Sequence, residues 1–335
     1  MKNSKILVTG GAGYIGSHVV RQLGERGELV VTLDNLSTGF EAAVTAGELV
    51  IGDTGDAALL ERLFSAHRIE TVMHFAAHTI VPESVADPLG YYHNNTVKSR
   101  ALMAAAVEAG VGQFIFSSTA AVYGTPKQNP VAEDAPTVPE SPYGSSKLMT
   151  EIMLADTARA HDFRYVALRY FNVAGADPQG RTGQSTKGAT HLIKVACETA
   201  LGKRARMDVF GTDYPTPDGT CLRDYVHVSD LADAHVRALD RLAQGAPSTA
   251  YNLGTGRPHS VRDVIRAVER ATGRAVPWSL ASRRPGDPAA LYAAPGRARA
   301  ELDWTPRHPD LDAIVHTAWT WHQAHPQGYG SRHCE

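Results

Sequence analysis

A run of spaced glycines near the start of the chain constrains the fold more than any other feature. Gly10, Gly13 and Gly16 follow a short apolar stretch at residues 6–8 and precede a segment, 14–26, with apolar residues at helical spacing. Glycines in this context permit a tight turn, a close backbone approach to a pyrophosphate and close helix–strand packing. The pattern predicts a dinucleotide-binding β–α unit with the pyrophosphate at the helix N-terminus, although a strand–turn–helix corner without a ligand would also satisfy it.

Strand and helix patterns alternate along the first half of the chain. Short apolar runs predict strands at residues 6–8, 29–33, 49–51, 71–75, 113–118 and 164–168, and helical spacing predicts helices at 14–26, 56–67, 91–109 and 143–160. Buried strands separated by helices are typical of a parallel sheet that is covered on both faces. The sequence therefore predicts an α/β fold with a doubly wound parallel (Rossmann) sheet.

The alternation fades after about residue 174, where glycine, proline and charged residues become denser. We expect residues 1–174 to form the dinucleotide-binding domain. Residues 175–335 are expected to form a smaller C-terminal lobe rich in loops, where specificity usually resides. Segments such as 223–240 are expected to pack back on the large sheet.

Composition argues against several classes of protein. The 335 residues are 43% apolar and 20% charged, and the net charge of −2 gives no support for a nucleic-acid or membrane partner. The three cysteines form no CxxC pair, and the scattered histidines show no metal-ligand spacing. No apolar stretch is long enough to span a bilayer, and the first strand follows Met1 too closely for a signal peptide. We expect a cytoplasmic protein without a metal site.

An aspartate at the end of the second predicted strand indicates which cofactor is bound. Asp34 stands where a carboxylate accepts hydrogen bonds from the ribose hydroxyls of an adenosine. A carboxylate repels a 2′-phosphate, and the following Asn35 and Leu36 provide no arginine, so NAD is favoured over NADP. Asp53, after the next predicted strand, is expected to hold the adenine edge; a turn or helix-capping aspartate is the alternative interpretation.

A tyrosine and a lysine at positions i and i+4 predict redox chemistry on an alcohol or a ketone. Tyr143 and Lys147 share one face of a predicted helix, and Pro142 marks the start of that helix. A phenolate at neutral pH needs its pKa lowered by about three units, roughly 4 kcal/mol, which Lys147, the helix dipole and NAD⁺ would supply together. Ser117 and Thr119 end a strand, where a hydroxyl would bridge the substrate oxygen and Tyr143. A surface tyrosine and a solvated lysine would show the same spacing.

At these residues the chain resembles the extended short-chain dehydrogenase/reductases, and within them the UDP-glucose (UDP-galactose) 4-epimerases. The resemblance covers nearly the whole length and rests on motifs at residues 9–18, 33–36, 74–77, 91–95, 117–124, 141–147, 168–172, 210–220, 223–228 and 251–254. It implies reversible C4 epimerisation of a UDP-hexose through a transient 4-keto sugar, with bound NAD taking and returning a hydride. It also implies a homodimer, paired through the helices predicted at 91–109 and 143–160.

The resemblance also assigns the site residues. It implies a catalytic group of Thr119, Tyr143 and Lys147. It implies cofactor contacts from Gly10, Gly13, Tyr14, Ile15, Gly16, Asp34, Asn35, Asp53, Thr54, Phe75, Ala76, Ala77, Asn94, Ser117, Tyr143, Lys147 and Tyr170. It implies nucleotide-sugar contacts from Thr119, Tyr143, Asn172, His191, Leu192, Phe210, Arg223, Tyr225, Arg284, Asp287 and Leu291. The paired N–H donors of the two arginines suit a diphosphate, whereas Arg283 and Arg284 taken alone would read as a solvated surface pair.

Some positions depart from the family pattern. Thr79 stands where some members have a lysine near the nicotinamide ribose, and His191 stands where some have an asparagine. Leu291 is intermediate between the tyrosine of strict glucose/galactose enzymes and the smaller residue of enzymes that accept N-acetylated sugars, so UDP-GlcNAc and UDP-GalNAc are alternative substrates. Other epimerases of this class act on UDP-xylose, UDP-arabinose or UDP-glucuronate, which are further alternatives. A nucleotide-sugar 4,6-dehydratase is disfavoured because Ala120 and Ala121, not a carboxylate pair, follow the catalytic threonine. A net dehydrogenase and an NAD or nucleotide-sugar binding module are the remaining alternatives.

Overall fold

One parallel sheet brings the predicted site residues to a common edge. The computed structural model describes residues 5–188, 190–284 and 286–330. Its strands are β1 (Lys5–Thr9), β2 (Leu29–Asp34), β3 (Glu48–Ile51), β4 (Ile69–His74), β5 (Gln113–Thr119), β6 (Arg164–Tyr170), β7 (Asn172–Ala174), β8 (Met207–Phe210), β9 (Leu222–His227), β10 (Thr249–Leu253), β11 (Pro258–Ser260), β12 (Trp278–Ala281) and β13 (Ala290–Leu291). Seven of them form a parallel sheet in the order β3-β2-β1-β4-β5-β6-β10. The predicted α/β fold is confirmed.

Helices cover both faces of this sheet. They are α1 (Tyr14–Glu25), α2 (Ala57–His67), α3 (Val81–Ala86), α4 (Pro88–Tyr91), α5 (Lys98–Glu108), α6 (Pro142–Ala160), α7 (Leu192–Ala200), α8 (Val228–Ala243), α9 (Val261–Thr272), α10 (Gly296–Leu302) and α11 (Leu311–Ala324). Helices α1 and α8 pack together over one face, and α2, α5 and α6 cover the other. Central strand residues such as Ile6, Leu7 and Val8 are therefore fully buried, which explains the continuous apolar runs in the sequence.

Side-chain caps set the starts of the site helices. Asp56 accepts a hydrogen bond from the Leu59 N–H at the start of α2. Ser141 accepts one from the Gly144 N–H at the start of α6, with Pro142 in the first turn. The helix predicted at 91–109 differs from the observed structure, because a π-helical turn at Tyr92–Val97 separates α4 from α5.

A second lobe contains the shorter strands. Strand β9 pairs with β7, β11 and β13, and β8 pairs with β12. Helices α7, α9 and α11 share a core with these strands. Within the described residues, the chain returns to the large sheet after residue 174 through α8, which packs on α1, through β10, which lies at the edge of the sheet beside β6, and through α10, which packs on β10 and α8. The domain division at residue 174 stays a prediction.

The described ranges contain no helix that is long and apolar enough to cross a bilayer. In the same part of the chain, no group of three histidine, cysteine or acidic side chains is placed to hold a metal ion. Cys197 and Cys221 are buried and free.

Several histidines are buried within the larger lobe or where it meets the smaller lobe. His74, in β4, lies between the hydroxyls of Thr9, at 2.6 Å, and Ser99, at 2.8 Å. Burial lowers the pKa of His74 to about 3, with a smaller effect of the Lys147 charge. Burial likewise lowers the pKa of His18 to about 4 and that of His227 to about 3. These side chains are neutral in the folded protein at pH 7.

We predict that the free energy of unfolding falls as the pH drops from about 6.5 towards 4. In that range the histidines bind protons in the unfolded chain but stay neutral in the folded protein. Each such histidine therefore lowers the free energy of unfolding by about 1.4 kcal/mol per pH unit. Urea unfolding at several pH values measures how the free energy of unfolding changes with pH. His74→Asn should reduce this slope by the contribution of about one proton. The exposed His161→Asn is the control. A free energy of unfolding that is constant between pH 6.5 and 4.5 would contradict the prediction.

Candidate active site

The carboxyl ends of neighbouring strands place the predicted site residues in a row. Tyr170 ends β6, Thr119 ends β5, Phe75 follows β4, Gly10 follows β1 and Asp34 ends β2. Because these strands are parallel neighbours, their carboxyl ends share one edge of the sheet, where ligands bind in open α/β folds. The hydroxyl-bearing side chains lie at one end of this row and the aspartate lies at the other.

The glycine turn holds three backbone segments too close for side chains. Gly10 has φ +70°, and a Cβ there would lie 2.5 Å from the Ala76 amide nitrogen. A Cβ on Gly16 would lie 2.2 Å from the Gly10 carbonyl oxygen. Gly13 is the N-cap of α1 and provides no side-chain cap, so the helix N-terminus faces the turn with backbone groups alone. Such a cradle suits a diphosphate.

Other predicted cofactor residues tie this turn to the rest of the molecule. Tyr14 donates a hydrogen bond to the Gly175 carbonyl at 2.6 Å, and Ile15 packs against the main core. Phe75 begins the loop after β4, and its ring centre lies 4.7 Å from that of His235. Ala76 and Ala77 follow Phe75 in this loop.

Asp34 is held in place by backbone donors. Its carboxylate accepts hydrogen bonds from the N–H groups of Ala12, at 3.0 Å, and Leu36, at 2.8 Å. Burial raises the pKa of Asp34, and the two hydrogen bonds oppose that shift. The carboxylate is thereby fixed beside the glycine turn, in the position expected for binding ribose hydroxyls.

Asp53 has partners within the protein. It accepts hydrogen bonds from Lys98 at 2.6 Å, from Asn35 at 3.2 Å and from the Gly55 N–H at 2.8 Å. Burial favours the neutral acid, but the hydrogen bonds outweigh it and lower the pKa of Asp53. Thr54 beside it is buried. The interpretation of Asp53 as a turn aspartate accounts for these contacts. A role for Asp53 at the adenine edge of the cofactor stays a prediction.

The π-helical turn places an asparagine pair beside the loop after β4. Asn94 donates a hydrogen bond to the Asn95 side chain at 3.1 Å. The buried Asn95 accepts from the His78 N–H at 2.8 Å and donates to the His78 carbonyl at 3.0 Å. It also donates to Ser146 of α6 at 3.1 Å. Sequence reasoning named Asn94 but missed Asn95, because a π turn has no simple spacing signal; such turns are frequent at functional sites.

Tyr143 and Thr119 meet at the end of β5. The Thr119 side-chain oxygen accepts a hydrogen bond from the Ala121 N–H at 3.1 Å. Its hydroxyl is near enough to the Tyr143 phenol to favour the ionised form of that phenol. Burial raises the pKa of Tyr143 well above its ordinary value, and the effect of Thr119 only partly offsets this. Without a bound cofactor, the protein therefore does not lower the pKa of Tyr143 as expected, because the phenol is buried.

Lys147 reaches the same strand end. Its Nζ donates to the Ser117 carbonyl at 3.0 Å and lies 4.8 Å from the centre of the Phe116 ring. Burial lowers the pKa of Lys147 to about 7, against an opposing effect of the Glu151 charge. Ser117 in turn donates to the Tyr170 hydroxyl at 3.1 Å. The structure thus brings Thr119, Tyr143, Lys147, Ser117 and Tyr170 together.

A buried polar network that sequence reasoning missed lies beneath this group. Glu151, one helical turn beyond Lys147, accepts from Ser118 at 2.5 Å and pairs with Arg169 of β6 at 2.6 Å. Arg169 also donates to the Tyr123 hydroxyl at 2.9 Å. The network ties α6 to β5 and β6. The i, i+4 spacing of Glu151 from the lysine was a readable signal, whereas its partner on β6 was not.

Strand β9 assembles the candidate nucleotide-sugar residues of the smaller lobe. Tyr225 lies opposite Asn172 of β7, and Arg223 lies opposite Leu291 of β13. Asn172 follows Tyr170 closely in the chain, so this lobe begins where the large sheet ends. The predicted residues from three separate segments therefore share one short sheet.

The two adjacent arginines differ in their surroundings. Arg284 lies over the Phe210 ring, with its guanidinium carbon 3.8 Å from the ring centre. Arg283 lies over the Tyr214 ring, 4.2 Å from the ring centre, and also pairs with the exposed Asp213 at 2.7 Å. Arg223 forms an ion pair with Asp287 and donates to the Leu222 carbonyl at 2.7 Å. The interpretation as a surface arginine therefore fits Arg283, whose ion-pair partner is exposed. Arg284 lies against Phe210 instead.

His191 and Leu192 line a small cavity with Asn172 and Tyr225. The His191 Nδ1 lies 2.8 Å from the side-chain nitrogen of Gln184. Burial lowers the pKa of His191 to about 4, so the ring is neutral at pH 7.

We predict that Gly16→Ala abolishes nucleotide binding and lowers the free energy of unfolding by about 2 kcal/mol or more. The added Cβ would meet the Gly10 carbonyl at 2.2 Å and force the turn away from the helix. The control is Gly296→Ala at the start of α10, where a Cβ meets nothing within 4 Å. Denaturant unfolding and titration with NAD measure both effects. Equal behaviour of the two variants would show that the close approach is unimportant.

Comparison with known proteins gives one family. The NAD dependent epimerase/dehydratase family model matches residues 6–254. The chain is 56% identical to the UDP-glucose 4-epimerase of Azospirillum brasilense, over 97% of this chain and 94% of that protein. It superposes on the Brucella ovis UDP-glucose 4-epimerase in complex with NAD with a TM-score of 0.92 at 46% identity, covering 95% of this chain and 98% of that one.

A second similar structure is a complex with two ligands. The Bifidobacterium longum UDP-glucose 4-epimerase in complex with NAD⁺ and UDP matches with a TM-score of 0.93 at 39% identity, over 97% of this chain and all of that one. The family match covers more than half of the chain, and the relatives align over nearly its full length. The chain belongs to the NAD dependent epimerase/dehydratase family.

Proposed function

We propose that the chain catalyses the reversible C4 epimerisation of a UDP-hexose, UDP-glucose to UDP-galactose, with NAD as its cofactor. The observation that supports this most directly is the meeting of Thr119, Tyr143 and Lys147 at the carboxyl end of β5, two strands from the glycine turn. The relatives that the chain matches over nearly its whole length are UDP-glucose 4-epimerases.

The residues present fit NAD. Because Gly10 and Gly16 lack side chains, the turn packs closely on the loop after β4 and on the first turn of α1, whose N-terminus would hold a diphosphate. Asp34, held by two backbone donors, would bind the adenosine ribose and repel a 2′-phosphate. At the other end of the row, Lys147 and Tyr170 would contact the nicotinamide ribose. When bound, NAD supplies the acceptor of a hydride from C4 of the sugar and later returns it to the opposite face.

Tyr143 is the proton acceptor for the sugar 4-hydroxyl. As the C4–H bond breaks, the hydroxyl proton passes to the phenol oxygen and a C4 carbonyl forms; the reverse transfer restores the alcohol. Thr119, whose oxygen is oriented by the Ala121 N–H, donates to the same oxygen and stabilises the charge that develops.

Ionisation of the buried Tyr143 requires more positive charge near its phenol oxygen than the protein alone provides. Lys147 is held on the same strand end through the Ser117 carbonyl, and its pKa of about 7 leaves it partly charged at neutral pH. A cationic nicotinamide beside these groups adds to that charge. The proton acceptor is therefore formed when the cofactor is bound.

Two arginines hold the diphosphate, and the sugar is held loosely. Arg223 and Arg284 present planar guanidinium groups that match phosphate oxygens. Arg223 is neutralised by Asp287, so UDP must exchange for that ion pair as it binds. A 4-keto sugar that rotates about its bond to the diphosphate can then present either face, which inverts C4. Asn172, Phe210 and Tyr225 contribute the rest of the nucleotide pocket.

The identity of the sugar depends on the end of β13. Leu291 lies opposite Arg223 and is partly buried. A leucine leaves more space than a tyrosine and less than a small residue. UDP-GlcNAc, UDP-xylose and UDP-glucuronate are therefore tested beside UDP-glucose.

The experiment that tests this function uses UDP-galactose deuterated at C4, without added NAD. We expect product NMR to show UDP-glucose that retains the deuterium at C4, because the hydride never exchanges with water. A panel of the other UDP-sugars identifies the preferred one. Inverted product with the label lost to solvent, or a 4-keto-6-deoxy product, would exclude the proposed reaction.

We predict that Tyr143→Phe lowers kcat by about 10³-fold, the usual value of a positioned general base. The ring still fills its buried site, so NAD content and thermal stability should stay close to those of the wild type. Tyr165→Phe is a matched control, because its half-buried ring lies in β6, away from the site edge. Turnover of Tyr143→Phe close to that of the wild type would remove Tyr143 from this role.

We also propose that two copies of the chain pair through the helices that precede and include α6. Val85 of α3, Leu89 of α4, Val97 of the π turn, and Met149 and Ile152 of α6 are exposed apolar side chains, with Leu89 78% and Ile152 52% accessible. These helices contact one another. Apolar side chains grouped in this way suit a two-fold interface with a second copy.

We predict that Ile152→Glu converts a dimer of about twice 35.9 kDa into a monomer in light scattering. A charge buried against its own symmetry mate lacks a partner, which opposes association. Leu280→Glu, on an equally exposed leucine of β12 in the smaller lobe, should leave the mass unchanged. A wild-type chain that is a monomer at micromolar concentration would contradict this proposal.

A further inference from the structure

Tyr329, near the end of the described chain, contacts the nucleotide end of the site. Its hydroxyl lies 2.6 Å from the Thr182 hydroxyl and accepts a hydrogen bond from the Gly183 N–H at 3.2 Å. Its ring lies 5.3 Å from that of Phe40 and 5.2 Å from that of Trp321. The side chain is thus anchored at its hydroxyl, and its ring packs against two other aromatic rings.

These contacts join segments that are far apart in the chain. Thr182 is itself 3.0 Å from the Ser17 hydroxyl, in the first turn of α1 behind the glycine turn. Trp321 belongs to α11 of the smaller lobe. Phe40 belongs to the loop that follows Asp34. Tyr329 therefore connects the dinucleotide helix, the smaller lobe and the loop beside the predicted adenosine site.

The loop at residues 36–42 is anchored at its start by the Leu36 N–H, which donates to the Asp34 carboxylate at 2.8 Å. Phe40 donates its N–H to the Ala12 carbonyl at 3.0 Å, and Ser37 donates to the Asn35 side chain at 3.0 Å. Most of the loop is partly or fully exposed. The ring contact between Phe40 and Tyr329 is a long-range restraint on the outer side of this loop.

A groove lies between this loop and residues 329–330. It is lined by Asn35, Leu36 and Phe40, by Ile51 at the end of β3, and by Tyr329. Ile51 is 59% exposed, which leaves an apolar surface that a planar base would cover. Because Asp34 precedes the groove directly, the adenosine half of the proposed cofactor falls here.

We propose that Tyr329 is a positioning residue for the cofactor: it braces the 36–42 loop over the adenosine end and slows cofactor release. The proposal rests on the proposed function for the identity of the nucleotide. It assigns Tyr329 no part in proton or hydride transfer, which occurs at the other end of the row. Removal of the brace changes how long NAD stays bound and leaves the catalytic step unchanged.

The experiment compares the wild type with Tyr329→Phe and Tyr329→Ala. The control is Tyr251→Phe, which removes a hydroxyl that is bonded to Glu301 at 2.7 Å, at the outer edge of the sheet. Protein loaded with isotopically labelled NAD is chased with unlabelled NAD, and the label that remains bound is followed over time. Amide hydrogen exchange of residues 37–43 is measured on the nucleotide-free chain, and kcat is measured at saturating NAD.

We expect Tyr329→Phe to release NAD about fivefold faster, as loss of one net hydrogen bond implies, and Tyr329→Ala about thirtyfold faster, because the packed ring is also lost. Exchange at residues 37–43 should rise in the same order, and kcat at saturating NAD should stay within about twofold. Tyr251→Phe should match the wild type in all three measurements.

Wild-type release and wild-type loop exchange in Tyr329→Ala would overturn the proposal. A kcat at saturating NAD that falls as far as NAD retention would also overturn it, since Tyr329 would then support the whole molecule. If the wild type neither holds NAD nor epimerises a UDP-sugar, the proposed function fails, whereas the loop-exchange comparison still decides whether Tyr329 braces the loop.

Discussion

The close approach of three backbone segments at the glycine turn is the constraint on which the rest of the site depends. The end of β1, the first turn of α1 and the loop after β4 meet at distances that exclude a Cβ on Gly10 or Gly16. This packing aims the N-terminus of α1 at the carboxyl edge of the sheet. It also sets the loop after β4 beside the turn, so the diphosphate site and the reacting end of the row have a fixed separation.

Burial affects the two titratable side chains of the catalytic group in opposite directions. It raises the pKa of Tyr143 and lowers that of Lys147, because both charged forms lose hydration. The protein alone therefore favours a neutral phenol and a partly neutral amine. The Glu151–Arg169 pair beneath them is held by hydrogen bonds and keeps α6 in place while the charges above it change. Proton transfer then depends on which charged ligand occupies the edge.

Local spacing in the sequence was sufficient to predict six of the seven strands of the large sheet, whereas β10, which lies beyond residue 174, was not predicted. The glycine turn, Asp34 and the i, i+4 pair of Tyr143 and Lys147 each depend on residues that are close in the chain, and the order of parallel strands brings them together. The roles of the individual site residues remain predictions. Contacts between distant segments were not readable, such as Glu151 with Arg169.

Adjacent residues also show where sequence reasoning stops. Arg283 and Arg284 have the same chemistry, but one pairs with Asp213 at the surface and the other lies over Phe210. The choice between them is made by the strand that each one faces, and that depends on the fold of the smaller lobe. The π turn at residues 92–97 is a similar case, because its sequence is compatible with an ordinary helix.

The position of β10 has a consequence for synthesis of the chain. The larger lobe lacks its edge strand until residue 253 has left the ribosome, and α8 must also be present to cover α1. Three of the six described strands of the smaller lobe, β7 to β9, are made before that point. The nascent larger lobe therefore has an unpaired edge at β6 until β10 is made and leaves α1 uncovered until α8 is made, so a chaperone that binds such surfaces would act on it before the protein is complete.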